Sequence, residues 1–447
     1  MPSTTSRRVS TGENSSFEEA SKPDGGDAPL NCRSCEAPLP SPFLDLGLQP
    51  AGPELVAPEA DPTEEHLRPL RVAACVACRL VQLADHMAPT AGLGHGHATA
   101  ASTTLADHER AWAADLVSGY APGSHPYRVL DVSSGDGTLL RAIAAATDPS
   151  SSLELLGFER SQLLATAAER SGIETRLGTF DRDSAARLAA AGWYADLVIV
   201  SQALAHVDHP GALLDALSTV LAPGGQLAIE AHHLLGVVAG GQFDAVSHAH
   251  SIYPSLASLL RLLQPRGLAV TEVGTVDSYG GSLRLVARRT GGQKSGVTVN
   301  ARNAAAAVRA EESAARLDDP AVISDIAQRA TRIAGDLRAF LVDRRAAGAV
   351  VLGYGAPARA GILLNLAGVG PDLLPFTVDR NPAKQGMVIA GSRIPVLPPD
   401  RLDAAQPGYV LILPWTLQSE IARQLSPLRE AGTRLVVALP ELQILEP

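Results

Sequence analysis

The stretch Arg128-Val129-Leu130-Asp131-Val132-Ser133-Ser134-Gly135-Asp136-Gly137 decides the fold that we expect for the centre of this chain. Its first five residues predict a buried strand, and a helix is predicted directly after it, over residues 138–146. An acid at the strand end and a glycine-containing turn at a helix N-terminus let backbone approach a nucleoside closely. The candidate cofactor-binding residues of this turn are Asp131, Ser133, Gly135 and Gly137.

Short aliphatic strands and amphipathic helices alternate beyond this turn. A second strand, residues 153–158, ends in Glu159, a position where an acid can accept hydrogen bonds from both hydroxyls of a ribose. A third strand, residues 195–200, leads to Gln202 and His206, which we place at the same cofactor site. The pattern predicts an α/β domain built on a largely parallel sheet.

The rest of this domain resembles the class I S-adenosylmethionine (SAM)-dependent methyltransferases. A helix, a Pro-Gly-Gly turn and another strand are predicted over residues 210–230, and a strand pair follows at 268–274 and 282–287. Ser133 departs from the pattern, because it stands where the first glycine of the usual turn is found. A different dinucleotide-binding domain therefore remains an alternative at this point.

Composition and charge exclude several broad classes of protein. The 447 residues include 37 Lys and Arg against 47 Asp and Glu, and the net charge of −10 argues against a protein that coats nucleic-acid phosphates. Residues 1–30 are polar and contain several acids, so we predict a disordered tail and a cytoplasmic protein. No stretch is apolar enough to predict a membrane span.

The cysteines occur in two pairs of equal spacing, and the chain has four in total. They are Cys32, Cys35, Cys75 and Cys78. Two such Cys-X-X-Cys turns can present four thiolates to one tetrahedral cation. Disulfides are disfavoured in a reducing cytosol, and a redox turn would leave one pair unexplained. We predict a structural Zn²⁺ site, with the 39 residues between the pairs forming a small folded insert.

The C-terminal third predicts a second Rossmann-like unit after a connecting helical pair at residues 296–347. A buried strand precedes a glycine-rich turn in which Gly355 can admit a phosphate and Arg359 can pair with it. The next strand ends at Asp379, which we include among the substrate-binding candidates. The predicted divisions are a tail at 1–30, a zinc-binding module at 31–90, a SAM-dependent methyltransferase domain at 91–292 and a Rossmann-like domain at 293–447.

Several motifs together resemble one family. They are Phe243-Asp244-Ala245-Val246-Ser247-His248-Ala249-His250, Tyr279-Gly280-Gly281-Ser282-Leu283-Arg284, Gly353-Tyr354-Gly355-Ala356-Pro357-Ala358 and Thr377-Val378-Asp379-Arg380-Asn381-Pro382-Ala383-Lys384-Gln385-Gly386. With the four cysteines and the central domain, they make the chain similar to the zinc-containing nucleotide-sugar C-3'-methyltransferases of antibiotic deoxysugar pathways. The resemblance extends from about residue 31 to the C-terminus and implies methyl transfer from SAM to C-3' of a dTDP-4-keto-deoxyhexose.

The resemblance also implies roles for individual residues. The family segment Tyr-His-Glu-His corresponds here to Ser247-His248-Ala249-His250, so the histidine that acts as general base is retained as His250, while the Tyr and Glu are absent. The tautomer and pKa of His250 must then be set by another group, and the candidates are His248, Ser247 and Tyr253. His97 matches an upstream family Tyr, and Arg284 and Lys384 match positions that support the site and the substrate phosphates.

Three functions follow from these patterns. The first is C-methylation of a nucleotide-linked keto sugar. The second keeps the architecture but changes the small-molecule acceptor, because the departures at Ser247, Ala249 and His97 lie on the acceptor side. The third is a non-methylating binding module, which the loss of the catalytic partners and Ser133 suggest. Nothing in the sequence determines the oligomeric state.

Overall fold

The computed structural model describes residues 30–85, 99–118, 125–290, 298–317 and 319–446. Residues 1–29 of the predicted tail and His97 lie outside these residues. The N-terminal part forms short strands that connect the two cysteine pairs. These strands are β1 (Leu44–Pro50), β2 (Leu55–Val56), β3 (Leu67–Ala74) and β4 (Val81–Leu83). Strand β3 pairs with both β1 and β4 in antiparallel register, so the predicted insert is a small sheet.

The central domain alternates strands and helices from the first helix onward. Its strands are β5 (Tyr127–Asp131), β6 (Leu153–Glu159), β7 (Thr175–Leu177), β8 (Ala195–Ser201), β9 (Leu221–His232), β10 (Ile252–Tyr253), β11 (Leu268–Val276) and β12 (Ser282–Arg289). Its helices are α1 (Thr103–Val117), α2 (Thr138–Ala146), α3 (Gln162–Arg170), α4 (Arg182–Ala190), α5 (Pro210–Val220), α6 (Leu234–Ala239) and α7 (Leu256–Leu263).

Seven of these strands form one sheet in the order β11-β12-β9-β8-β5-β6-β7. The pairs from β9 to β7 are parallel, and β12 is inserted antiparallel between β9 and β11. Strands β5 and β8 are almost wholly buried on both faces, as parallel strands covered by helices require. The carboxyl ends of β5, β6, β8 and β9 therefore meet at one edge, where ligands bind in open α/β sheets.

One strand of this sheet differs from the prediction. The Pro-Gly-Gly segment is part of β9 rather than a turn before it, and the register shifts so that Ala195 faces Leu221 and Leu197 faces Gln226. Gly224 has a φ of 83°, and a Cβ on Gly225 would lie 2.8 Å from the Ala195 carbonyl oxygen. The two glycines thus accommodate a bulge in a continuous strand.

The C-terminal part begins with two long helices and continues as an α/β domain. Its helices are α8 (Val299–Ala314), α9 (Pro320–Ala346), α10 (Ala358–Leu366), α11 (Asp400–Ala405), α12 (Gln418–Gln424) and α13 (Ser426–Glu430). Its strands are β13 (Val351–Tyr354), β14 (Thr377–Val378), β15 (Val388–Ile389), β16 (Val396–Leu397), β17 (Tyr409–Ile412), β18 (Arg434–Val437) and β19 (Gln443–Ile444).

Six of these strands form a sheet in the order β16-β14-β13-β17-β18-β19, parallel except for β19. The sequence pattern of residues 417–430 predicts a single helix, but the structure has the pair α12 and α13, which meet at Leu425. Pro427, in the first turn of α13, has no N–H to donate and starts a helix more readily than it continues one.

Three contacts interlock the parts of the chain. Strand β10 joins the N-terminal sheet beside β4, and β2 pairs with β15 of the C-terminal part. One apolar core runs from Leu44 and Leu70 of the N-terminal sheet to Ile333 of α9 and Leu363 of α10. Within the described residues, no helix is both long and apolar enough to cross a bilayer.

Candidate active site

The turn after β5 lies at the carboxyl edge of the central sheet. Asp131 is buried and accepts a hydrogen bond from the Ser133 N–H at 3.1 Å. Gly135 and Gly137 have φ angles of 55° and 78°, which glycine adopts without steric cost. Burial raises the pKa of Asp131 to about 7, with a further contribution from the charge of Glu159 and an opposing one from the Ser133 N–H. The turn has the compact form needed beside a nucleoside.

Glu159 ends β6 next to this turn. Its two carboxylate oxygens accept the Gly135 N–H at 3.0 Å and the Ser161 N–H at 2.7 Å. These bonds hold the carboxylate at the sheet edge, and each oxygen retains a second lone pair for a ribose hydroxyl. The Asp136 carboxylate similarly accepts Thr138 and Ala100 N–H groups, which joins the turn to the segment that precedes α1.

Glu230, which the sequence reasoning did not select, is fully buried near the end of β9. It accepts hydrogen bonds from Gln202 Nε2 and Arg284 Nε, and His108 Nε2 lies 2.9 Å from Oε1. Burial raises its pKa, but His108 and Arg284 outweigh that effect and hold the pKa below its ordinary value. The only sequence signal was an acid near the end of an apolar strand.

The same cluster shows the surroundings of two predicted site residues. Gln202 has a φ of 54°, and its N–H donates to the Glu230 carbonyl at 2.8 Å. Arg284 stacks over the Trp112 ring, with its guanidinium carbon 4.7 Å from the ring centroid. In this structure Arg284 therefore bridges β12 to β9 and α1 inside the central domain.

His250 and His206 form a half-buried pair at this edge. Their ring centroids are 4.7 Å apart in an edge-to-face arrangement. His250 Nδ1 lies 2.8 Å from the Ala245 carbonyl, and His206 Nδ1 lies 2.8 Å from the Ala249 carbonyl. A carbonyl only accepts, so both rings carry hydrogen on Nδ1. Neither Nε2 has a hydrogen-bond partner among the described residues.

The environment keeps both imidazoles neutral. Burial lowers the pKa of His206 below its ordinary value, while the bond to Ala249 opposes that shift. Burial also lowers the pKa of His250 well below its ordinary value, and the neighbouring His206, His232 and Arg359 lower it further. A neutral imidazole with an unprotonated Nε2 can remove a proton from a substrate.

Ser247 and His248 contact other groups. The Ser247 N–H donates to the Tyr253 hydroxyl at 3.2 Å. The two ring nitrogens of His248 lie 3.3 and 3.1 Å from the carbonyls of Pro50 and Pro69 in the N-terminal sheet. His248 therefore ties the loop that carries His250 to the cysteine-containing module.

The glycine-rich turn of the C-terminal domain faces the central domain. Gly355 has a φ of 84°, and a Cβ there would lie 2.5 Å from Pro414 atoms, which only glycine avoids. Asp379 accepts the Ala356 N–H at 2.8 Å, and Lys384 Nζ donates to the Ala356 carbonyl at 2.8 Å. Asp379 and Lys384 thus hold the backbone of the turn by hydrogen bonds to Ala356.

Arg359 lies at the boundary between the two domains, in the first turn of α10. Its Nη2 atom donates to the Tyr279 carbonyl at 3.4 Å, and its guanidinium carbon lies 5.8 Å from the centroid of the Trp415 ring. The Nη1 atom of Arg359 lies 3.8 Å from Asp244 Oδ2, which is too far for a hydrogen bond. This buried nitrogen has no hydrogen-bond partner in the described structure. A cation with an unused donor at this boundary suits an anionic ligand.

The four cysteines converge on one point. Their Sγ atoms all lie within 4.8 Å of one another, with 3.5 Å between Cys32 and Cys78 and between Cys35 and Cys75. Zn–S bonds of about 2.3 Å in a tetrahedron place sulfurs about 3.8 Å apart. The arrangement fits a Zn²⁺ ion held by four thiolates and leaves no ligand position for water.

The two cysteine turns have equivalent backbones. The N–H groups of Glu36 and Arg79 donate to the carbonyls of Cys32 and Cys75, each at 2.9 Å. Both donor residues have positive φ angles, 60° and 64°. The Gln82 side chain adds an N–H to Cys32 Sγ at 3.1 Å. The Ser34 N–H donates to Cys32 Sγ at 3.4 Å and the Cys78 N–H to Cys75 Sγ at 3.5 Å. Such N–H groups stabilise thiolates that hold a metal.

Comparisons with known proteins agree with this geometry. Family models match a zinc-binding domain at residues 32–91, a methyltransferase domain at 105–273 and a C-methyltransferase C-terminal domain at 277–440. The C-methyltransferase NovU of Streptomyces niveus is 29% identical over 417 residues, which are 93% of this chain and 96% of that protein.

Solved structures give weaker likenesses. Magnesium protoporphyrin IX methyltransferase from Synechocystis PCC 6803 with bound SAM is 17% identical, over 42% of this chain and 79% of that one, with a TM-score of 0.30. A SAM-dependent methyltransferase from Mesorhizobium loti is 17% identical, over 41% of this chain and all of that one, with a TM-score of 0.32.

The central sheet, its glycine turn and the methyltransferase match define a class I SAM-dependent methyltransferase. The flanking domains and the relative narrow the class further. The chain is a SAM-dependent C-methyltransferase with an N-terminal zinc-binding module. SAM and a structural Zn²⁺ are its cofactors. The expectation of a non-methylating binding module is therefore wrong.

Proposed function

We propose that this methyltransferase acts on a nucleotide-linked 4-keto-deoxysugar and methylates its C-3' carbon, with His250 as the general base. The observation that carries the proposal is the orientation of the His250 ring. Its Nδ1 hydrogen is committed to the Ala245 carbonyl, so the lone pair of Nε2 is directed away from that bond. The predicted resemblance supplies the sugar class and the position of methylation.

The chemistry requires one base and one bound methyl donor. A proton on the carbon next to a ketone is acidic because its removal gives an enolate, and Nε2 of neutral His250 accepts that proton. When bound, SAM supplies the electrophilic methyl group, whose transfer to carbon leaves the C–S electron pair on neutral S-adenosylhomocysteine. His250 then holds one proton, which it returns to solvent.

His206 and the Ala245 carbonyl supply the support that the missing family Tyr and Glu would otherwise provide. The carbonyl sets the His250 tautomer, and the His206 ring fixes the position of the imidazole by packing against it. The first contact is with a backbone carbonyl and the second is with an imidazole ring, so neither needs a Tyr or a Glu side chain. The departures at Ser247 and Ala249 are therefore compatible with a working base.

Arg359 supports an acceptor that carries a diphosphate. It follows the Gly355 turn at the start of α10, where backbone N–H groups and the helix dipole favour anions. Its Nη1 atom is buried without a hydrogen-bond partner in the described part of the chain. A phosphate oxygen at the domain boundary would satisfy this donor.

The test combines product analysis with proton exchange. We expect the protein, SAM and a dTDP-4-keto-deoxysugar to give a product one methylene heavier, with NMR placing the methyl on C-3' rather than C-5'. In D₂O with S-adenosylhomocysteine, wild type should exchange the α-proton. His250→Asn should lower both rates by about 10²- to 10⁴-fold while binding SAM normally. Glu430→Ala, on the exposed end of α13, serves as the control.

The changed-acceptor alternative gives a different result. Suppose that the protein binds SAM normally but neither exchanges the α-proton of a keto sugar nor methylates one, and that thymidine diphosphate does not bind. The acceptor would then lie outside the nucleotide-linked keto sugars. Methylation at C-5' would retain the base and the sugar class but contradict the C-3' assignment. Unchanged turnover of His250→Asn would remove this residue as the base.

A further inference from the structure

A buried acid on α1 has an unused oxygen that the chemistry described so far does not explain. Glu109 is 8% exposed, and its Oε2 atom has no hydrogen-bond partner among the described residues. It lies on the buried face of α1, together with Leu105, Trp112 and Leu116. An unpartnered carboxylate on such a face is costly unless a ligand or a proton neutralises it.

Acids of the cofactor turn and of β9 lie close enough to Glu109 for their charges to act on it. Their charges, after burial, raise its pKa to about 8, and a hydrogen bond with Thr99 opposes that shift. Asp131 and Asp136 come from the cofactor turn, and Glu230 comes from the buried cluster. Glu109 thus lies near the carboxyl edge of the sheet, within range of the charges of the cofactor turn and of the end of β9.

The neighbouring acids already have protein partners. Asp131 accepts the Ser133 N–H, and Asp136 accepts the N–H groups of Thr138 and Ala100. Glu230 is surrounded by His108, Arg284 and Gln202. Within the described part of the chain, Glu109 Oε2 is a buried oxygen of this group with no hydrogen-bond partner, so it is open to a donor on a ligand.

The cofactor provides the missing donor. SAM carries two positive groups, an ammonium on its methionyl part and the sulfonium, and the ammonium alone has N–H bonds to donate. We propose that Glu109 binds the methionyl ammonium of SAM through Oε2. The donor pairs with the vacant lone pair, and the added charge offsets the cluster of acids around it.

Glu109 is thereby assigned to cofactor binding, independently of the acceptor. It would bind S-adenosylhomocysteine in the same way, because the product keeps the ammonium and loses the sulfonium charge. It would not contribute to 5'-methylthioadenosine, which has the nucleoside and the thioether but neither of the two cations. These three ligands separate the possible roles of the carboxylate.

The experiment is calorimetric titration of the three ligands at about pH 8.5, above the pKa of about 8 of Glu109. We expect Glu109→Gln to weaken SAM and S-adenosylhomocysteine equally, by about 10- to 100-fold. Its affinity for 5'-methylthioadenosine should change by less than about twofold. Glu109→Asp, which keeps the charge, should lose less. Asp115→Asn, an exposed acid on the same helix, should match wild type for all ligands.

Three outcomes would overturn the assignment. Unchanged affinity of Glu109→Gln for SAM would show that the carboxylate does not contact the cofactor. Weakening of SAM alone would assign it to the sulfonium rather than to the ammonium. Equal weakening of all three ligands would mean that the substitution damages the cavity as a whole. None of these measurements uses an acceptor, so they stand or fall separately from the proposed reaction.

Discussion

His250 obtains its tautomer from a backbone carbonyl five residues away instead of from an acidic side chain. The Ala245 carbonyl is part of the chain itself and remains when side chains nearby change. Replacement of the family Tyr and Glu by Ser247 and Ala249 therefore need not remove the base. The tautomer of a histidine base depends on a hydrogen-bond acceptor at the other ring nitrogen, and this matters more than the type of residue that provides the acceptor.

The pH dependence should report this environment. Burial and His206 lower the pKa of His250 below that of an ordinary histidine. The proposed base therefore stays neutral in a pH range where an ordinary histidine is protonated, and we expect activity to fall only at lower pH. His206→Asn removes one lowering group, while His232, Arg359 and the Ala245 carbonyl remain. We expect the acid limb of kcat, at saturating SAM and acceptor, to move to higher pH in this variant.

The control for that profile is Ser247→Ala, because among the described residues no hydrogen bond joins the Ser247 side chain to either ring. Its acid limb should overlay that of wild type. An acid limb that stays in place in His206→Asn, or moves to lower pH, would contradict the assigned interaction. Binding of S-adenosylhomocysteine across the same pH range separates a change in the base from a change in the cofactor cavity.

At the level of elements, the zinc-binding module holds the loop of the base. Strand β10 begins two residues after His250 and pairs with β4. Next to it, the Leu83 N–H donates to the Ser251 carbonyl at 3.0 Å. The His248 ring contacts carbonyls of β1 and β3. The module therefore holds in place the loop that carries His250, the proposed base.

Removal of zinc should separate catalysis from cofactor binding. Cys35→Ser loses one thiolate, so we expect loss of the metal and at least a tenfold fall in methyl transfer and α-proton exchange. SAM affinity should change by less than about threefold, because its cavity lies at the central sheet. Metal analysis, product formation and calorimetry measure the three quantities.

Val76→Ser is the matched control, because Val76 is 65% exposed between the second pair of cysteines. It should retain zinc and activity. Full activity of a zinc-free protein would contradict the positioning role. Loss of SAM binding together with activity would show that the metal supports the whole fold rather than the loop.

At the scale of the whole molecule, Glu420 links the C-terminal domain to α1, the helix that carries Glu109. It accepts the Ser102 hydroxyl at 2.8 Å and the Thr104 N–H at 3.0 Å at the start of α1. Gln424 donates to the same carboxylate and accepts the Tyr354 hydroxyl, next to the Gly355 turn. A continuous set of hydrogen bonds thus joins the two proposed ligand sites.

Glu420→Ala should weaken this connection. The variant leaves the Thr104 N–H and Ser102 hydroxyl without their partner, so we expect a loss of about 1–3 kcal/mol in stability. We also expect weaker SAM binding, because α1 carries Glu109. Thermal unfolding and calorimetry measure the two effects. Glu430→Ala, an exposed acid near the C-terminus of α13, should leave both unchanged, and equal behaviour of the two variants would contradict the link.

Local patterns predicted much of this molecule. Strand β5 and helix α2 occur within one residue of their predicted limits, because their apolar periodicity and the glycine turn act over a few residues. The bulge in β9 and the break before Pro427 were missed, since each depends on how a glycine or proline meets its neighbours. The predicted domain limits remain predictions, with β10 and β2 pairing across them.

The sequence by itself determined the order of strands and helices and the four cysteines that hold the metal. Both depend on spacing between residues that are near one another in the chain or of one rare type. Only the tertiary structure decided which groups surround Glu230, Glu109 and His250. Their partners are often more than 100 residues away, as His108 is from Glu230, and packing of separate elements brings them together. Burial then sets their charges, which no local pattern records.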